Sequence, residues 1–150
     1  MKCSLNSKMY LTNFFSEDKK FNLPQKNKVR SLIKKVCRSE KKRLGFINCV
    51  FCSDEYLLEI NKKYLEHDTF TDIITFDYAE KTDNIEGDLY VSLDRINENA
   101  QKYKVDKNEE LLRIIIHGLL HLIGYSDKSK KEKLMMSEKE NKYLSLYKKM

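Results

Sequence analysis

Leu111-Leu112-Arg113-Ile114-Ile115-Ile116-His117-Gly118-Leu119-Leu120-His121-Leu122-Ile123 is the longest apolar block of the chain, broken only by one arginine, two histidines and a glycine. It is shorter than the about eighteen apolar residues that a membrane-spanning helix needs. Asp106 stands just ahead of it, with Glu109 three residues on, in the pattern of a helix-opening capping box. Gly124 follows it as a natural stop. The spacing predicts a helix over 107–123 that is apolar nearly all round, and so the buried centre of the fold.

His117 and His121 are two of only three histidines in the protein. Four residues rotate a helix by about 400°, a net offset of roughly 40°. Both rings therefore project from one face, one turn apart, as required to offer two imidazoles to one metal ion. The alternative is a pair of core histidines, each satisfied by its own hydrogen bond. Left unpaired, two imidazoles in apolar surroundings are costly.

Working outward, 10–15 is a short apolar run suited to an edge strand. After Pro24, Val29, Leu32, Ile33, Val36 and Cys37 recur at helical spacing and form one apolar face. Lys28, Arg30, Lys34, Lys35 and Arg38 occupy the other face. Residues 44–52 read as a strand. Ser53 is placed to cap the next helix, with Asp54 and Glu55 suited to its first turn and Leu57, Ile60 and Tyr64 on its inner face. Strands follow over 72–78 and 87–93, the second introduced by the turn residues Asp83 and Asn84. A short helix spans 94–102. A polar final helix covers about 130–148, with Met135, Tyr143, Leu146 and Tyr147 along it. The expected fold is α+β: a single domain over 1–150, with a mixed sheet of about four strands, surrounding helices and a central metal-binding helix, zincin-like in outline.

Composition agrees with a globular chain. Its 150 residues suit one domain, and 35% charged against 41% apolar is an ordinary balance. The first residues carry no apolar signal core, so the expected location is cytoplasmic. A net charge of +6 points to a polyanion such as nucleic acid, although lysine-rich faces are also common simply for solvation. Cys3, Cys37, Cys49 and Cys52 are the cysteines. Cys49 and Cys52 form a lone C-x-x-C, which invites a zinc or redox reading. On a strand, however, residues three apart face opposite ways and cannot share a ligand. Reduced, buried thiols are expected.

A metal needs more than two imidazoles. A turn after Gly124 could bring Asp127 back over the helix end, and two histidines with one carboxylate form a known catalytic zinc set whose fourth position takes water. The alternative for Asp127 is a solvated loop carboxylate. A zinc peptidase would carry glutamate directly after His117. Gly118 stands there instead, so the general base of that chemistry is missing.

His117-Gly118-Leu119-Leu120-His121-Leu122-Ile123-Gly124-Tyr125 resembles the H-G-x-L-H-L-x-G-Y-D-H signature of the YbeY family. Ile60-Asn61-Lys62-Lys63-Tyr64 and Asp68-Thr69-Phe70-Thr71-Asp72-Ile73-Ile74-Thr75-Phe76 are similar to an upstream block of that family, and Gly87-Asp88-Leu89-Tyr90-Val91-Ser92 to one of its strands. The resemblance covers roughly 46–127. It implies a metal-dependent, single-strand-specific endoribonuclease with one zinc ion per chain, or another divalent transition metal. It further implies a role in maturing the 3′ end of 16S ribosomal RNA and in late quality control of the small ribosomal subunit. RNA, ribosomal RNA above all, is the expected partner, with no membrane.

The chain departs from the signature in places. The third histidine of the signature falls at Asp127 and the aspartate before it at Ser126. An arginine that the family is thought to use in catalysis falls at Leu65, and a proline at Phe70. The expected metal ligands are His117, His121 and Asp127. Lys34, Lys35, Arg38, Lys62, Lys63 and Lys128 are candidate RNA contacts, and Lys62, Lys63 or Lys128 could stand in for the arginine. His67 is read as a substrate contact or an exposed residue rather than a ligand, and Asp72 as a structural or orienting residue. The rival readings are a non-catalytic ribosome-assembly factor with a structural metal, which Leu65 favours, and a hydrolase of small molecules or peptides.

Overall fold

The computed structural model describes residues 10–67, 69–79 and 83–150. Cys3 and Asp68 lie outside the described residues. The elements run β1 (Thr12–Ser16), α1 (Lys26–Ser39), β2 (Arg43–Cys52), α2 (Asp54–Leu65), β3 (Ile73–Asp77), β4 (Asn84–Ser92), α3 (Leu93–Tyr103), α4 (Lys107–Ile123) and α5 (Lys130–Lys149). The four strands form one mixed sheet in the order β1-β2-β4-β3. β1 and β4 flank β2 in parallel, and β3 runs antiparallel to β4.

Alternation along β2 divides the core in two. Ile47, Cys49 and Phe51 face the larger cluster, built with α1, α4 and α5, while Cys52 joins Leu57 and Ile74 in a smaller one under α2. Cys49 and Cys52 therefore lie on opposite faces of the sheet, both free and buried. Burial pushes each thiol up to about 12, which removes the thiolate that redox or metal chemistry would need.

α4 is the buried helix that its apolar girth predicts, with residues from Glu110 to Leu122 buried on several faces. Asp106 caps it by accepting from the backbone N–H of Asn108 and Glu109. Glu109 turns instead to Lys148, at 2.7 Å. Ser53 caps α2 through the Tyr56 N–H at 3.1 Å. Among the described residues, no helix is long and apolar enough to cross a membrane.

Several local expectations shift. Tyr64 is 60% exposed, and its place on the inner face of α2 is taken by Asn61, whose side chain bonds the Thr69 carbonyl at 2.8 Å. On α5 the residue turned inward is Met136, at 2% exposure, rather than Met135 at 44%. The buried set Met136, Glu140, Tyr143 and Leu144 shows the helical spacing that decides between them. Asn84 opens β4 rather than a turn, because the strand begins earlier to pair with Arg43. β3 and α3 are each displaced by a residue or so at their ends from the expected bounds.

Gly118 sets how close α4 lies to the sheet. A Cβ there would stand 2.6 Å from Ile73 Cδ1 and 3.0 Å from Leu89 Cδ2. Gly118→Ala should therefore lower stability by about 1–3 kcal/mol through overpacking, even though alanine favours an exposed helix by about 1 kcal/mol. Urea denaturation reads the difference, and an unchanged midpoint would mean that the helix can lift off without cost.

Candidate metal centre

α4 brings His117 and His121 to its C-terminal end beside β3. Gly124 ends the helix at φ 124°, and the N–H groups of Gly124 and Tyr125 both return to the Leu120 carbonyl. The chain then turns through 125–128 to the capping box of α5, in which Ser129 and Glu132 bond each other's backbone N–H. That tight turn carries Asp127 back over the end of α4.

The three side chains meet. His117 Nε2 lies 3.0 Å from His121 Nε2. Asp127 Oδ2 is 3.3 Å from the first and 3.4 Å from the second. One donor atom from each lies within 4.8 Å of the other two. A tetrahedral ion with bonds of about 2.0–2.1 Å needs donors about 3.3 Å apart, so the triangle already has the required size.

The far sides of the rings settle which nitrogens are available. His117 Nδ1 meets Glu140 Oε2 at 2.6 Å, and His121 Nδ1 meets the Tyr125 carbonyl at 2.9 Å. A carbonyl can only accept, so His121 Nδ1 carries the hydrogen. The same assignment at His117 leaves both Nε2 lone pairs facing one another and the Asp127 carboxylate. Such a triangle can hold a metal ion, and a donor set of two imidazoles and one carboxylate fits zinc.

Electrostatics act the same way. Burial alone pushes the His117 imidazole down, but the Glu140 hydrogen bond and charge, with Asp127 and Asp72 behind them, bring it out above the usual 6.5. Burial raises the Asp72 carboxyl, against the pull of His117 and Arg95.

The residues that hold this arrangement come from far away in sequence. Glu140, buried on α5, is also bonded by Arg113 at 2.9 Å. The Tyr125 hydroxyl donates to Glu40 at 2.5 Å, and Glu40 also accepts from Tyr143 and from Lys139 at 2.9 Å. Burial works against the Glu40 charge, yet these donors more than offset it and hold its carboxyl below the usual range. Neither glutamate belongs to the motif. The available signal was Glu140 sitting on the apolar stripe of the final helix. Glu140→Ala should weaken metal binding about 10- to 100-fold, the usual effect of removing the partner of a ligating histidine, as measured by competition with a chelator. Affinity equal to the parent would show that His117 needs no anchor.

A cleft of about 640 Å³ opens beside the triangle. It is lined by the three site residues, by Asn61, Leu65, His67 and Asp72, and by the 69–71 and 73–75 segments. His67 and Asp72 are thus brought to the site. Lys34, Lys35 and Arg38 are not. They lie exposed on α1, which packs against β2 and α5. Lys62 sits 3.8 Å from Glu59. Lys63 lies over the Tyr64 ring, in a separate groove with Glu55 and Tyr90. Lys128 is exposed next to Asp127 but does not line the cleft.

Comparison with known proteins adds the final observation. The family described as Endoribonuclease YbeY matches residues 13–148. A Cytophaga hutchinsonii protein named Endoribonuclease YbeY is 47% identical over 135 residues, covering 90% of this chain and 94% of that one. A Flavobacterium psychrophilum protein of the same name is 46% identical over 133 residues, covering 89% and 94%. A solution structure from Thermotoga maritima is similar with a TM-score of 0.62 and 27% identity, over 91% of this chain and 88% of that one.

Proposed function

The chain belongs to the YbeY family of endoribonucleases, and on that premise we propose that it cleaves single-stranded RNA at the cleft beside α4, with His117, His121 and Asp127 holding one zinc ion per chain. Family membership makes it an RNA-cleaving hydrolase. The observation that carries the proposal further is the triangle of Nε2, Nε2 and Oδ2 atoms at 3.0–3.4 Å, with both outer nitrogens tied down.

When bound, zinc in such a set supplies a hydroxide near neutral pH. The protein's own part is positional. Glu140 and the Tyr125 carbonyl fix both imidazoles in one tautomer. The 124–129 turn presents the carboxylate. The cleft walled by β3 and the segment after α2 is where a strand of RNA would lie. Lys34, Lys35, Arg38, Lys62, Lys63 and Lys128 would meet the phosphates of the substrate outside the cleft, favoured by the +6 charge. The biological substrate in this reading is the 3′ end of 16S ribosomal RNA on the small subunit, in the cytoplasm, with residues 1–150 acting as one domain.

A second reading has one specific observation behind it. Among the described residues, no lysine or arginine lines the cleft, which suits an assembly factor whose metal is structural. One experiment separates the two: metal analysis of the purified protein, followed by RNA binding and RNA cleavage with and without chelator. The enzyme reading expects about one equivalent of metal, with cleavage abolished and binding largely kept after chelation. Cleavage that persists in metal-free protein overturns the metal-dependent mechanism. A metal-bearing protein that binds RNA and cuts none favours the assembly factor.

A further inference from the structure

Cleavage of RNA places a phosphodiester, with its negative charge, in the cleft beside the metal triangle. The cleft offers it little welcome. Asp127 and Asp72 line it, together with threonines, Leu65 and Phe70, and no lysine or arginine among the described residues does. Among the lining side chains outside the ligand triangle, His67 is the one imidazole, and its ring N–H can donate a hydrogen bond into the cleft.

The backbone holds His67 in place. α2 ends at Leu65, Glu66 takes the left-handed conformation at φ 56°, and the His67 N–H returns to the Asn61 carbonyl at 3.2 Å. The buried Asn61 side chain then grips the Thr69 carbonyl at 2.8 Å. One residue therefore anchors the chain on both sides of His67, which leaves the imidazole exposed on the cleft wall while its backbone is fixed.

We propose that His67 is a substrate-contacting residue of the cleavage reaction, donating a ring N–H to a non-bridging oxygen of the phosphate that sits against the metal triangle. The inference rests on the RNA-cleaving, metal-holding reading above. Glu66 precedes His67 in the chain, and Arg95 lies 5.0 Å from the ring of Phe70 on the same cleft wall. Asp72 leads into β3, His117 and His121 face from α4, and Asp127 and Lys128 belong to the turn beyond. Leu65, two residues earlier on the same wall, is the other position from which a donor could reach the same oxygen.

The test uses full-length His67→Ala, His67→Gln and His67→Arg, and His67→Ala combined with Leu65→Arg. Each is measured for metal content and for kcat and KM on a single-stranded RNA oligonucleotide. All should keep the parent's metal. His67→Ala should lose about 10- to 100-fold in kcat/KM, the usual consequence of deleting a hydrogen bond to a charged group. Glutamine, which keeps an N–H donor, should restore part of it, and arginine at 67, or at 65 in the alanine background, should restore most of it. Parental kcat/KM in His67→Ala overturns the proposal, and so does loss of metal from that variant, which would make His67 a ligand. His117→Ala serves as the control for the underlying reading: if it keeps its metal, the ligand triangle itself fails, whatever His67 does.

Discussion

Purified His117→Ala protein should hold less than about a tenth of an equivalent of metal, and its RNA cleavage should fall by about 10³-fold or more. The triangle has three protein donors, and a catalytic zinc site is built on that number. Removing one imidazole leaves two donors and also strands Glu140, which sits 2.6 Å from the missing ring with Arg113 on its other oxygen. Losing charge stabilisation of several kcal/mol at the reacting phosphate corresponds to the rate loss expected. The pH dependence has a definite sign. His117 ligates only when Nε2 is unprotonated, and in the metal-free protein its surroundings hold the proton more tightly than an ordinary imidazole near 6.5. Protons should therefore begin to displace the metal at a higher pH than they would from an unperturbed histidine, and affinity should fall as pH drops through that range. Chelator competition across pH, with elemental analysis of the variant, checks both statements. Full metal stoichiometry in His117→Ala would refute the site.

The second large effect is expected at Asp127. Asp127→Ala should release metal as His117→Ala does, because its Oδ2 is the third donor, 3.3 and 3.4 Å from the two Nε2 atoms. Asp127→His should keep the metal, since the 124–129 turn places position 127 over the end of α4 whatever its side chain. The two variants should differ in metal preference. A carboxylate is a harder, anionic donor that widens the acceptable range towards manganese and iron, whereas a third imidazole favours zinc. The comparison is made by loading metal-free parent and variant with each ion and measuring affinity and cleavage. If Asp127→Ala binds metal as tightly as the parent, the carboxylate is a solvated loop residue.

Much of the fold is legible in the sequence. A helix apolar all round can only be central, so the 107–123 block fixed the layer around which the rest packs. Helical spacing put His117 and His121 on one face from sequence alone, because i and i+4 neighbour each other by backbone geometry. Strand alternation likewise sent Cys49 and Cys52 to opposite faces. These readings depend on local periodicity, which the chain carries within a few residues.

What needed the tertiary structure were the facts set by distant segments. Only the fold shows that Glu140 anchors His117 and that Glu40 clamps Tyr125, 85 residues away. Only the fold shows that Lys34, Lys35 and Arg38 are not at the cleft while His67 is. Asn61 rather than Tyr64 turns inward because the Thr69 carbonyl is there to receive it. A residue type and its spacing state what a side chain can do. Which partner it meets is decided by packing between elements, where burial makes each polar group find the one donor or acceptor that the folded chain brings within reach.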